Sequence, residues 1–154
     1  MTGTFFLDSS ALIKLYHQEP GTERVEEIFT ASETSLIISE LAVVELHSAL
    51  ARKIRTGEIT LQAEEEVVRN FEKDCADRFV IEPLTSAVVK QAKELLTKHG
   101  HQKALRSLDA LQMASFTIVR ARDEEVVFVC ADGRLCDIVK AEGYAALNPE
   151  NPVP

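Results

Sequence analysis

The sequence predicts an α/β protein with one parallel sheet covered by helices on both faces. Two observations carry this. Short apolar runs without polar alternation, "FFL" (5–7), "SLIIS" (35–39) and "VVFVC" (126–130), read as strands buried on both sides. Helical patterns separate them along most of the chain, the alternation that parallel connections produce. The length of 154 residues suits one domain, taken as 1–147, followed by a Pro-rich tail, "NPENPVP" (148–154), read as an extended arm.

The elements follow in order. The first strand ends at Asp8, and Ser9 or Ser10 can cap a helix through about Tyr16. "QEPGTE" (18–23) is a turn punctuated by Pro20 and Gly21. Thr22 can cap the next helix, with Val25, Ile28 and Phe29 as its apolar positions. Ser39 closes the second strand and caps a long helix to about Arg55, stopped by Gly57. Thr60 starts another, lined by Leu61, Val67, Val68, Phe71 and Cys75. These two consecutive helices break the alternation and read as an inserted helical hairpin (40–76). "FVIEP" (79–83) is a short strand. Thr85 opens a helix with Val88, Val89, Ala92, Leu95 and Leu96 on one side, and "HGHQK" (99–103) reads as a loop containing His99 and His101. Ser107 caps a helix to about Arg120. A strand (126–130), a short helix from Arg134 to Glu142 and a final "YAAL" strand complete the pattern.

Composition narrows the function. Net charge is −8 from 25 acids and 17 bases, which argues against simple electrostatic nucleic-acid binding unless a cation neutralises clustered acids. Aromatics are 6% and Trp is absent, so aromatic base-stacking platforms are not expected. Cys75, Cys130 and Cys136 form no zinc-ligand spacing and are expected as buried apolar groups. No run approaches a membrane span and no signal-peptide pattern appears, so a cytoplasmic protein is expected. The six glycines form no phosphate-cradling loop, which removes dinucleotide and P-loop enzymes.

The informative residues are acids where a buried fold does not need them. In parallel α/β sheets, ligands bind beyond the carboxyl ends of the strands. Asp8 and Asp132 sit at two such ends. Glu45 shares its helix face with Leu41, Ala42, Ser48 and Ala49, and Asp109 lies in the first turn after Ser107 with Met113 and Phe116 on its line. Each has a structural alternative: Asp8 and Asp132 as caps, Asp109 as a dipole-complementing acid, Glu45 in an ion pair. Together, four carboxylates converging on one edge need protonation or a cation. Oxygen ligands of this kind suit Mg²⁺ or Mn²⁺, which can bridge an anionic phosphate and activate a water.

Four stretches carry a family resemblance. "FFLDSSALIKLYHQEPGTE" resembles the N-terminus of PIN-domain proteins, specifically VapC-type toxin ribonucleases of toxin–antitoxin systems. "ISELAVVELHSAL", "RSLDALQMASF" and "VFVCADGRLCDIVKAEG" resemble their later motifs, in order, over nearly the whole chain. The resemblance implies a three-layer α/β/α sandwich, homodimerisation, Mg²⁺- or Mn²⁺-dependent hydrolysis of RNA, and a cognate antitoxin. It implies Asp8 and Asp109 as principal metal ligands, with Glu45 and Asp132 completing the catalytic cluster directly or through water. It places Ser10 where a hydrogen bond orders the site. Cys130 stands where the family usually carries Thr or Ser, a weaker hydrogen-bond partner beside Asp132. Lys14, Arg52, Lys103 and Arg106 are candidates for holding the RNA backbone. The apolar faces of the hairpin and of the helix at 22–31 are expected to serve dimer and antitoxin contacts. The competing reading is a catalytically silent module of the same fold that binds a protein or RNA partner.

Overall fold

The computed structural model describes residues 1–151. Five strands form one parallel sheet: β1 (Thr2–Leu7), β2 (Glu33–Ser39), β3 (Phe79–Glu82), β4 (Val127–Val129) and β5 (Ala146–Leu147). Their order is β3-β2-β1-β4-β5. Parallel register pairs Phe5 with Leu36 on one side and with Val127 on the other. The chain builds outward from β1 to β3, then returns to place β4 on the opposite side of β1. The gap between the carboxyl ends of β1 and β4 is therefore the topological switch point, where this architecture leaves a crevice.

Alternation along the strands divides the core into two layers. Phe5, Leu7, Leu36 and Ile38 pack with the helices α1 (Ser9–Leu12), α2 (Thr22–Thr30), α3 (Glu40–Arg55) and α4 (Leu61–Asp77). Phe6, Ile37 and Phe128 pack with α5 (Ser86–Lys103), α6 (Ser107–Arg120) and α7 (Gly133–Ala141). The three-layer sandwich follows from strand residues pointing to opposite faces at every step. Phe6, Phe116 and Phe128 cluster at centroid separations of 5.1–5.9 Å in the second layer. The hairpin α3–α4 is the crossover that joins β2 to β3.

Several helix starts match their capping chemistry. Ser39 accepts from Leu41 N, Thr60 from Ala63 N and Thr85 from Val88 N. Others differ from the sequence expectation. Gly21, with φ of 87°, precedes α2 in place of a Thr22 cap. Thr22 is instead buried and donates to the Lys14 carbonyl while accepting from Glu19 N–H. Arg106 occupies the cap position expected for Ser107. The "HGHQK" stretch is the end of α5 and not a loop, because His99 is buried and bonded to Glu142. Leu61 and Val89, expected inward, are exposed. Val25 and Ile28 of α2 are fully buried in the fold's own core, so this face is not free for a partner.

The tail departs from an extended arm as far as it is described. Asn148 donates to the Ala131 carbonyl, Asn148 Oδ1 accepts from Glu150 N–H, and Glu150 reaches Lys14 Nζ at 2.7 Å. Pro152 to Pro154 lie outside the described residues.

Candidate active site

Asp8 is the first residue past β1. Its backbone N–H donates to the Val129 carbonyl at 3.1 Å, which ties the ends of β1 and β4 together. Its carboxylate caps α1: Oδ1 accepts from Ala11 N–H at 3.0 Å and from Ser10 Oγ at 2.6 Å. The side chain is 5% exposed. Burial raises its carboxyl to about 6, against the lowering effect of the Ser10, Cys130 and Ala11 contacts, and the nearby Glu45 charge adds to the rise.

Glu45 projects from the second turn of α3 toward the same edge. Burial raises its carboxyl, Gln112 and Ser9 oppose that, and the like charge of Asp109 adds to it. Gln112 Nε2 donates to Glu45 Oε1 at 2.7 Å. Asp109 opens α6, one turn before Gln112, with Arg106 Nε 3.4 Å from its Oδ2. Glu45 thus stands between Asp8 and Asp109 and feels or exerts charge on each.

Asp132 occupies the neighbouring strand end. Its Oδ1 caps α7, accepting from Arg134 N–H at 2.9 Å and Leu135 N–H at 3.3 Å. Its Oδ2 lies 3.7 Å from the Arg134 guanidinium. Ser10 and Cys130 connect it to Asp8. Ser10 Oγ accepts from Ala131 N–H at 2.9 Å, and Cys130 Sγ accepts from Asp132 N–H at 3.3 Å. The thiol makes the backbone contact a hydroxyl would make, at sulfur distance. Its pKa is pushed up by its contact with Cys136, by burial and by Asp8, so it stays protonated.

The basic candidates divide. Lys14 is 2% exposed and neutralised by Glu19 at 3.3 Å and Glu150 at 2.7 Å. It is a structural cation inside the fold and does not reach RNA. Arg52, Lys103 and Arg106 are exposed. Lys103 and Arg134 line a depression of about 450 Å³ beside α7. His47 is exposed on α3 and His99 is buried.

Gln112 was legible only as a neighbour of Asp109. It is 2% exposed, and its Oε1 is buried without a hydrogen-bond partner among the described residues. A glutamine on an otherwise apolar helix face is the available signal. The packing of α6 against α3 that aims it at Glu45 is not in the sequence.

The donor set suits a hard divalent ion. Asp8 and Glu45, both with raised carboxyls, and Asp109 beside Glu45 form a set without sulfur or imidazole, which matches oxygen-seeking Mg²⁺ or Mn²⁺. Among the described residues, no three Asp, Glu, His or Cys side chains are gathered tightly enough to hold an ion as they stand. Gln112 and Arg106 engage Glu45 and Asp109 instead. Mg²⁺ keeps several of its waters, so carboxylates spaced around a hydrated ion remain compatible with it.

The PIN domain family model matches residues 5–140, which contain all four acids. The chain belongs to the PIN domain family. Among solved structures, this PIN domain is similar to the Mycobacterium tuberculosis toxin VapC20, which is described as cleaving the sarcin–ricin loop. Identity is 18%, with 94% of this chain and 99% of that one covered, at a TM-score of 0.68. It is also similar to FitAcB from Neisseria gonorrhoeae (14% identity, 96% and 99% covered, TM-score 0.63). A third is VapBC2 from Rickettsia felis, bound to a promoter DNA fragment (14%, 94% and 98%, 0.63). At these identities the likeness speaks to the fold. No curated protein matches the chain in sequence.

Proposed function

We propose that the chain is a divalent-metal-dependent endoribonuclease that hydrolyses RNA phosphodiesters as the toxin of a toxin–antitoxin pair. The observation that carries this is the approach of Glu45 to both Asp8 and Asp109 in a PIN domain whose Asp8 ends the first strand at the switch point. Asp8 and Asp109 would be the principal Mg²⁺ or Mn²⁺ ligands, with Glu45 beside them and Asp132 acting through water. When bound, the ion supplies charge stabilisation at phosphoryl oxygens and lowers the pKa of a water.

The chain's own contributions are positional. Ser10 and the Ala11 N–H lock Asp8 through Oδ1 on a rigid strand end, where geometry is best held. Gln112 sets the direction of Glu45. Arg106 and Lys103, exposed at the start of α6 and the end of α5, would meet RNA phosphates. No covalent nucleophile is required, and the protonated Cys130 is not one. The relatives crystallised as VapBC and FitAB complexes support a cognate antitoxin as partner. A homodimer and cytoplasmic action belong to the same proposal, and no described helix is long and apolar enough to cross a membrane.

RNA cleavage by the purified chain, with Mg²⁺ or Mn²⁺ and then EDTA, beside Asp8→Asn and Asp109→Asn, tests the reading. Metal-dependent cleavage absent from both variants is expected, a loss of roughly 10³-fold or more. Folded protein that binds the divalent ion and RNA yet cleaves none favours the silent binding module.

A further inference from the structure

The face of α3 that carries Glu45 continues into a groove of about 450 Å³ between α1 and α3, with Leu108 of α6 on its rim. Ser9 and Glu45 line one end, and Arg52 and Arg55 the other. The two arginines follow Glu45 by seven and ten positions, about 10 and 15 Å along the helix axis.

Their state differs from that of their neighbour. Lys53, between them, is buried and paired with Glu19 and Glu58. Arg52 and Arg55 are exposed, and among the described residues neither makes an ion pair. Bases in a last helical turn complement the dipole anyway. That does not require them to line the same groove as the acidic site, in a chain of net charge −8. Val44 and Leu108, 65% and 50% exposed, give the rim apolar contact area.

We propose that this groove is the track for the single-stranded RNA flanking the scissile phosphate, with Arg52 and Arg55 on backbone phosphates. Val44 and Leu108 then meet ribose or base faces. The assignment rests on the proposed nuclease reading of the acids. Charge decides the occupant. A polyanion whose reacting phosphate meets a cation among the carboxylates places its next phosphates toward the arginines. A basic peptide drawn to the carboxylates would run into two like charges instead.

The test is fluorescence anisotropy of a short fluorescein-labelled single-stranded RNA of mixed sequence, with Ca²⁺ present, over a range of NaCl. Wild type, Arg52→Gln/Arg55→Gln and Asp8→Asn are compared, with melting temperature and Mn²⁺ affinity measured on each. The double arginine variant is expected to lose about tenfold in RNA affinity. Its slope of log K against log salt should fall by about 1.4, or about 0.7 per phosphate contact. Its Mn²⁺ affinity and melting temperature should match wild type, and its loss in cleavage should appear in KM. Unchanged RNA affinity and slope overturn the track. So does unchanged RNA affinity accompanied by tighter binding of a basic amphipathic peptide, which would make the groove a protein site. Cleavage by wild type that Asp8→Asn abolishes, alongside an unaffected arginine variant, removes this proposal alone. Wild type that binds neither Mn²⁺ nor RNA removes the nuclease reading with it.

Discussion

Gln112 gives one end of its amide to Glu45 and leaves the other without a donor among the described residues. A buried carbonyl without a partner costs about 1–3 kcal/mol. That cost makes Gln112 a candidate for a positioning task at Glu45. Gln112→Met removes the orphan and frees Glu45. We expect a metal-free melting temperature no lower than wild type, and Mn²⁺ affinity about tenfold weaker. Calorimetry on the same samples reads both quantities. A lowered melting temperature with unchanged Mn²⁺ affinity would assign Gln112 to packing.

At the same scale, Glu19 holds two buried lysines, Lys14 and Lys53. Burial works to raise its carboxyl, but Lys53 and Lys14 outweigh it and hold it below the ordinary range. A depressed carboxyl contributes stability that is present above its unfolded pKa and lost as pH falls through the folded one. Denaturant midpoints should therefore drop on acidification below about pH 4.3, where an unfolded Glu titrates. Glu19→Gln should be destabilised by roughly 3 kcal/mol at neutral pH, since two buried ammonium groups lose a counter-charge. It should also show a shallower acid dependence. Lys14 read as an RNA contact in the sequence because its partner Glu150 lies 136 positions away.

At the scale of elements, two backbone positions carry tests. Gly21 has φ of 87°, and a Cβ there would meet the Pro149 carbonyl carbon and oxygen at 2.9 Å. Gly21→Ala thus combines left-handed strain with a backbone clash. A destabilisation of about 2 kcal/mol is expected, with loss of the Lys14–Glu150 contact. Ala104, between α5 and α6, sits at φ of 51°. Ala104→Gly removes that strain, with an expected gain of about 0.5–1 kcal/mol in urea unfolding. Strand and helix existence was legible throughout, because periodicity and capping act within a few residues. The end of α5 was not. Gly100 costs a helix about 1 kcal/mol, which read as a break. The helix runs on because His99 is buried against Glu142 of α7, a contact no local pattern encodes.

At the scale of the whole molecule, the acidic edge joins residues from the end of β1, α3 and α6, so the proposed ion would couple to global stability. An ion that binds only the folded chain stabilises it by about 2.7 kcal/mol at a hundredfold excess over Kd. Saturating Mn²⁺ should raise the melting temperature by roughly 5–10 °C, and Asp8→Asn should abolish the shift. The sequence by itself determined the parallel sheet, the order of its elements and the placing of Asp8 and Asp132 at strand ends. Those follow from side-chain period and capping, which are local. Only the tertiary structure decided that Glu45 stands between Asp8 and Asp109 while Asp132 caps its own helix. It alone buried Lys14 and aimed Gln112 at Glu45. Burial and Coulomb energy depend on distances between elements far apart in the chain, and those distances exist only once the sheet has closed.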